Sequence, residues 1–332
     1  MITVTLYTKK GCSLCTKALR DLKALQEKVP HNLGIVDIEQ DVDLKARYGD
    51  RVPVIQVGPY TLEAPFDRKQ LHMTLAAARD RQMHMGRAGI DAREKRNLSG
   101  GFVERAAHWL SKRYLALLNL LLFLYVGLPF LAPVLMNAGL PQLARPIYTM
   151  YGAVCHQLAF RSWFLFGEQS VYPRASAGLE GYQSFEQATG IEEEGAASLL
   201  DARNFIGNEQ VGYKVAFCQR DVAIYGGMLV FGLFYAATNR RLRSLHWMLW
   251  ILIGILPVAL DGFSQLFSQI PGLDFIPYRE SIPLLRTLTG FLFGFTTAWF
   301  GFPLLEDPMA DARVAVATRK ARSAAQVPKK VT

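Results

Sequence analysis

Apolar and polar side chains alternate through Ile2-Thr3-Val4-Thr5-Leu6-Tyr7, which predicts a β-strand over residues 2–7. Gly11 breaks the alternation. From Cys12 the spacing becomes helical, with Cys15, Ala18, Leu19, Leu22 and Leu25 on one face. After a break at 29–32, residues 33–37 read as a strand and 42–48 as a helix. Residues 54–57, entered from Pro53, and 60–62 read as two more strands, and 67–83 as a helix. The order βαβαββα predicts an α/β domain with a central sheet flanked by helices, over about residues 1–83.

The pattern then changes. Long apolar runs cover residues 114–136, 222–238, 245–267 and 284–305, each close to the ~20 residues that cross a bilayer as a helix. Pro129 and Pro257 fall inside such runs and are expected to kink them. Residues 145–166 are apolar too, but carry His156, Gln157 and Arg161. Basic flanks decide the topology. With four spans, the basic segment before residue 114, the Arg240-Arg241-Leu242-Arg243 loop and the C-terminal tail share the cytoplasmic side, and Glu192-Glu193-Glu194 lies outside. A fifth span would invert the arginine loop, so 145–166 is expected to lie on the outer surface or to re-enter from it. The expected organisation is an α/β domain (1–83), a basic amphipathic linker (84–113) and an all-α transmembrane bundle of about four spans (114–305). The bundle carries a polar outer loop at about 167–217, and a disordered basic tail (306–332) follows it.

A formal charge of +9 over 332 residues raises the question of nucleic acid. The basic residues, however, sit at the ends of apolar segments, where they orient a membrane protein; a bilayer is the expected partner and nucleic acid is not. The first strand has neither the basic start nor the apolar stretch of a signal peptide, so the first domain and the tail are expected in the cytoplasm, with the chain integral to the cytoplasmic membrane.

Four cysteines in two distant pairs are too few for a disulfide scaffold. Cys12 lies between a strand and a helix, so its sulfur would sit at the helix N-terminus, where free N–H groups and the helix dipole favour the thiolate. Lys9 and Lys10 add charge nearby. Cys15, one turn on, could resolve a mixed disulfide. A zinc half-site or two inert thiols are the alternatives, and the neighbouring strand–helix pattern makes redox chemistry the better reading.

The run Leu6-Tyr7-Thr8-Lys9-Lys10-Gly11-Cys12-Ser13-Leu14-Cys15, with Asp37-Ile38 and Arg51-Val52-Pro53-Val54, resembles the glutaredoxin-like branch of the thioredoxin superfamily. The resemblance implies that Cys12 attacks, Cys15 resolves, and Pro53 is a cis-proline facing the disulfide. Glutathione-using glutaredoxins carry paired glycines after the third strand, where this chain has Val57-Gly58-Pro59. That departure counts against glutathione, the candidate small thiol; a thiol or disulfide partner protein is the other expectation, and no cofactor is firmly implied.

In the membrane half, Cys155 and Cys218 are expected near the same outer surface. A disulfide, a metal site using Cys155, His156, Cys218 and Asp221, and two small buried residues without chemistry all remain open. Asp261 and Gln265 share one face of the third span. A carboxylate at that depth costs about 2.5–3.5 kcal/mol and demands a partner, for which Arg220 and Arg286 are candidates. The set Cys155-His156-Gln157, Arg161-Ser162, Cys218-x-Arg220, Asp261-Gly262-x-x-Gln265 and Arg286-x-x-Thr289-Gly290 resembles a family of predicted prokaryotic integral membrane proteins over about residues 145–303. That family implies no particular activity. Glycines 226, 227, 290, 294 and 301 are expected to permit close helix approach. The leading expectation is a membrane-tethered thiol–disulfide oxidoreductase. The alternative is a transporter, or a lipid- or ion-handling protein, with a redox-sensing domain.

Overall fold

The structure, a computed structural model, describes residues 2–87, 101–193, 195–270 and 277–326. The chain divides into two compact units, one formed by Met1–Arg113 with Asp307–Thr332 and the other by Tyr114–Glu306.

In the first unit, β1 (Ile2–Thr8), β2 (His31–Asp37), β3 (Val54–Val57) and β4 (Tyr60–Glu63) form a sheet of order β2-β1-β3-β4. β1 pairs parallel with β2 and antiparallel with β3, and β3 pairs antiparallel with β4. The predicted alternation sets the faces. Val4 and Leu6 pack with Ala18, Leu22 and Leu25 of α1 (Ser13–Leu25) and with Leu71 and Leu75 of α3 (Arg68–Arg87). The opposite face carries Tyr7, Val36 and Val54 against Leu44 and Tyr48 of α2 (Val42–Tyr48). The α/β expectation therefore holds, and the Val52–Pro53 bond is cis.

The second face corrects the tail. Residues 306–326 are not a disordered extension; they continue the last helix, and Val314 and Ala317 are buried in the same cluster as Tyr7 and Tyr48. The Tyr7 hydroxyl donates to Gln56 Oε1 and shares a hydrogen bond with the Thr318 hydroxyl, each at 2.9 Å. Arg313 pairs with Asp43 at 3.3 Å and Arg47 with Asp311 at 2.5 Å. The tail has few large apolar residues, but small ones at helical spacing suffice to bury one stripe on a sheet. Residues 327–332 and 88–100, the latter the middle of the expected linker, lie outside the described residues.

The second unit is mostly helical. Among the described residues, four helices are long and apolar enough to cross a membrane, over Arg105–Asn137, Gln219–Ala237, Trp247–Phe267 and Pro283–Thr318. They lie in α4 (Gly101–Asn137), α8 (Gln219–Ala237), α9 (Trp247–Phe267) and α10 (Pro283–Gln326). Trp250–Ile255 of α9 is π-helical, just before Pro257, whose missing N–H interrupts the ordinary ladder. Gly227 and Gly294 let α8 and α10 touch: a Cβ at Gly294 would strike the Ile224 carbonyl, and one at Gly227 would lie 2.7 Å from Phe291 O. Gly290 likewise abuts Arg220, whereas Gly226 and Gly301 face open space, so packing explains only three of the five glycines.

Between α4 and α8 the chain is more ordered than a polar loop. It forms α5 (Pro141–Gly152), β5 (Ser162–Leu165), α6 (Phe185–Thr189), α7 (Ala196–Asn204), β6 (Gly207–Asn208) and β7 (Gly212–Cys218). The strands make a small antiparallel sheet of order β5-β7-β6. Phe160, Phe164, Tyr172, Phe185 and Val211 supply an aromatic core of its own. The expected loop at 167–217 is thus a folded subdomain, and the membrane half carries a sheet that an all-α reading omits. At 1.5 Å per residue, the twelve residues of α5 reach only about 18 Å, too short to span.

Candidate functional sites

The first unit presents Cys12 as the N-cap of α1, where its Sγ accepts a hydrogen bond from the Cys15 backbone N–H at 3.1 Å. Cys12 and Cys15 form a disulfide. Cys15 is buried, while Cys12 is half-buried beside the exposed Leu14. The first turn of α1 carries no acidic residue to oppose a thiolate. Of the two lysines expected to add charge, Lys9 donates through Nζ to the Gly49 carbonyl at 2.9 Å.

In the second unit, β7 ends at Cys218, which is the N-cap of α8. The Gln157 side chain places Cys155 nearby. Its Nε2 donates to the Tyr148 carbonyl of α5 and to the Ala216 carbonyl of β7, at 2.9 and 2.7 Å, tying the Cys155 turn to the strand that ends in Cys218. Gln157 takes a positive φ of 52° to make that turn. Buried Lys214 on β7 reinforces it, donating to the Gln157 and Arg203 carbonyls at 2.8 and 2.5 Å. Burial pulls Lys214 down to about 7.

The result is a compact donor group. Cys155 Sγ, Cys218 Sγ and an Asp221 carboxylate oxygen lie within 4.8 Å of one another. Both thiols are free, and Cys218 Sγ donates to Asp221 Oδ2 at 2.8 Å. The neighbouring Cys218 thiol holds Cys155 below the ordinary thiol range. Contact with Cys155, burial and Asp221 push Cys218 up. His156 is exposed; it lines the adjoining cavity but does not belong to the donor group. Of the four residues weighed in sequence as one alternative, a metal site, three come together.

That cavity, about 270 Å³, is lined by both cysteines, Asp221, Arg161, Arg220, Gln265 and Arg286 among others. Beneath it runs an ionic network. On α9, Asp261 and Gln265 are 4% and 6% exposed while their neighbours Leu260 and Phe263 are 62% and 55% exposed, so the helix turns one polar stripe inward and its apolar flank out. Asp261 accepts from Arg220 at 2.5 Å, Arg279 at 2.9 Å and the Ser281 hydroxyl at 2.8 Å. Arg286, a candidate partner for Asp261, instead pairs with Glu280. Glu280 also accepts from Arg161 at 3.1 and 3.3 Å and from Gln265 at 2.9 Å, and Arg174 lies 4.0 Å from it.

Glu280, Arg279, Ser281, Arg174 and Lys214 escaped the sequence reading. The segment at 277–282 is irregular chain between two spans, and nothing in its spacing marks Glu280 as buried. One signal was available: an arginine at the mouth of a span also needs a carboxylate, and Glu280 is the nearest in sequence to Arg286.

Both halves match known domain families. Residues 3–76 match a glutaredoxin-like domain (DUF836), and residues 201–300 match a family described as predicted membrane protein (DUF2085). The second match takes in Cys218, Arg220, Asp221, Asp261, Gln265, Glu280 and Arg286; Cys155, His156, Gln157 and Arg161 precede it. Uncharacterized protein MJ1492 of Methanocaldococcus jannaschii is 26% identical over 204 residues, covering 59% of this chain and 94% of the relative. No solved structure matches the chain. The chain therefore joins a glutaredoxin-like domain to a membrane domain.

Proposed function

We propose that this protein is a membrane-tethered thiol–disulfide oxidoreductase whose exchange centre is Cys12–Cys15, working on the cytoplasmic side. One observation carries the reading: the more exposed sulfur caps a helix N-terminus and is bonded to a buried partner three residues on. A helix N-terminus favours the thiolate, which is the attacking species. In the reduced protein, the Cys12 thiolate attacks a substrate disulfide; one S–S bond breaks, a mixed disulfide forms, and the first substrate thiolate leaves. Cys15 then attacks Cys12 Sγ, its proton passing to solvent, and the second substrate thiolate leaves. The substrate disulfide is reduced by two electrons and the Cys12–Cys15 disulfide is restored, to be reduced again by an external dithiol. Leu14, exposed next to Cys12, suits docking of a polypeptide partner better than of glutathione. Arg240, Arg241 and Arg243, between the second and third spans, support the cytoplasmic placement.

The test is reduction of a small disulfide by the full chain in lipid nanodiscs. Cys12→Ser abolishes turnover, Cys15→Ser traps a mixed disulfide, and Asp261→Asn leaves turnover unchanged. Turnover surviving Cys12→Ser overturns the reading.

A second reading has its own support. In the membrane half five arginines (161, 174, 220, 279 and 286) surround two carboxylates, Asp261 and Glu280, among the described residues. That surplus of positive charge beside a cavity favours a role in handling an anion or a lipid headgroup, with the glutaredoxin-like domain as its redox sensor. Here Asp261→Asn removes the membrane activity and spares thiol exchange.

A further inference from the structure

The Cys155–Cys218 pair lies outside the exchange chemistry of Cys12–Cys15. Its geometry differs from that of a redox pair in one respect that has chemical consequences. Three residues after the helix-capping Cys218 stands Asp221, a carboxylate that cannot form a disulfide but can ligate a metal. The second sulfur arrives from a distant part of the chain, on a turn fixed by Gln157 to the strand carrying Cys218.

We propose that Cys155 Sγ, Cys218 Sγ and the Asp221 carboxylate form a three-ligand site for a borderline divalent cation of the zinc class, with its fourth position open to the cavity.

The donor chemistry fits. Two sulfurs and one carboxylate oxygen are ligand types zinc accepts, and a hard oxygen beside two thiolates argues against a site for a purely soft monovalent ion. The spacing fits as well. With metal–sulfur bonds of about 2.3 Å and metal–oxygen bonds of about 2.0–2.2 Å, tetrahedral ligand atoms stand roughly 3.5–3.8 Å apart. The three donor atoms already lie within 4.8 Å of one another, and Cys218 Sγ and Asp221 Oδ2 are 2.8 Å apart through a hydrogen bond. Binding replaces the proton of that bond with the metal and releases the thiol protons to solvent. Two thiolates and a carboxylate leave one net negative charge around a divalent ion. Arg161, Arg220 and Arg286, which line the same cavity, lie where they can balance it. A three-ligand set facing a cavity leaves room for water, as in sites where zinc does chemistry rather than only bracing a fold.

Cobalt(II) reports on such a site through thiolate-to-metal charge-transfer absorption. The reduced full chain in nanodiscs, carrying Cys12→Ser and Cys15→Ser to silence the first pair, is titrated with cobalt(II). One equivalent is expected to give a charge-transfer band that zinc(II) bleaches. Cys155→Ser and Cys218→Ser each lose the band, and Asp221→Asn keeps it at weaker affinity with a shifted ligand-field spectrum. Because either cysteine variant could misfold, a second measurement uses the chain with both thiols intact: zinc(II) is expected to protect Cys155 and Cys218 from alkylation. No band and no protection overturn the proposal. So does a band that survives Cys218→Ser, or isolation of a stable Cys155–Cys218 disulfide in chain that then takes no cobalt.

Discussion

A cysteine at the start of a helix occurs twice in this chain, in two different surroundings. At Cys12 and again at Cys218, a cysteine follows a strand and occupies the N-cap position of a helix, although only the Cys12 sulfur accepts a cap hydrogen bond. Three residues later the sequences diverge: Cys15 follows Cys12, and Asp221 follows Cys218. In the first site the i+3 side chain is a second sulfur on the same turn, so two sulfurs meet without help from the rest of the fold and form a disulfide. In the second, the i+3 side chain accepts a hydrogen bond from the Cys218 thiol, and the second sulfur must be brought across the sheet by Gln157 and Lys214. A helix N-terminus alone therefore does not specify a disulfide; the residue one turn on does.

The largest expected effect comes from exchanging that residue. Asp221→Cys, with Cys155→Ser to remove the competing sulfur, places a thiol one turn after Cys218 in the geometry of the first site. In air it is expected to form a disulfide with Cys218 that blocks alkylation of both, whereas the Asp221 chain carrying Cys155→Ser leaves Cys218 open to the reagent. The reciprocal Cys15→Asp leaves Cys12 as a free thiol. If Asp221→Cys stays fully alkylatable, the i+3 side chain is not what separates the two sites.

The next comparison concerns what lies beneath each cysteine. Cys12 and Cys15 open α1, the helix whose Ala18, Leu22 and Leu25 pack into an apolar core with α3 and the sheet. Cys218 rests on the buried ionic network, in which Glu280 is the hub for Arg161, Arg286 and Gln265. Glu280→Gln leaves buried Arg286 without its anion, and removing one partner of a buried pair costs about 3–5 kcal/mol. The expected reading is a large drop in the thermal midpoint of the membrane domain, with exchange at Cys12 intact. A drop within error shows that the arginines are hydrated from the cavity rather than paired.

These two regions were not equally legible in sequence. The first domain declared itself because its period-2 and period-3.6 patterns alternate cleanly and Cys12 falls at the switch between them. The spans at 222–238, 245–267 and 284–305 were legible for the same reason: lipid-facing helices are apolar over a bilayer's thickness. Asp261 and Gln265 stood out because a carboxylate inside such a run has no cheap explanation. Glu280 did not, because a carboxylate in a connecting segment ordinarily meets water, and only tertiary folding buries it. The subdomain at 162–218 was hidden by its composition. Its core uses widely spaced aromatics, Phe160, Phe164, Tyr172 and Phe185, on short elements that give no periodic signal. The C-terminal helix was missed for the opposite reason: Val314 and Ala317 are small, and their burial depends on a sheet some 260 residues away in sequence.

The smallest expected effect concerns the cations near each thiol. Lys9 is exposed and bonded to a loop carbonyl, whereas Lys214 is fully buried, bracing Gln157 and the end of α7. Burial lowers Lys214 from 10.5 to about 7, so between about pH 7 and 10.5 the unfolded chain holds a proton that the folded chain has released. Stability is then lowest below pH 7 and rises with pH across that window, at a slope no steeper than about 1.4 kcal/mol per pH unit. Lys214→Met cannot titrate. The difference in thermal midpoint between the parent chain and Lys214→Met, followed from pH 6.5 to 9.5, is therefore expected to move in favour of the parent as pH rises, while the cysteines, common to both, cancel. A difference that stays flat means Lys214 remains charged throughout, its two carbonyl partners and a third acceptor carrying the ammonium. The Gln157 turn, and with it the position of Cys155, would then be held by a charge.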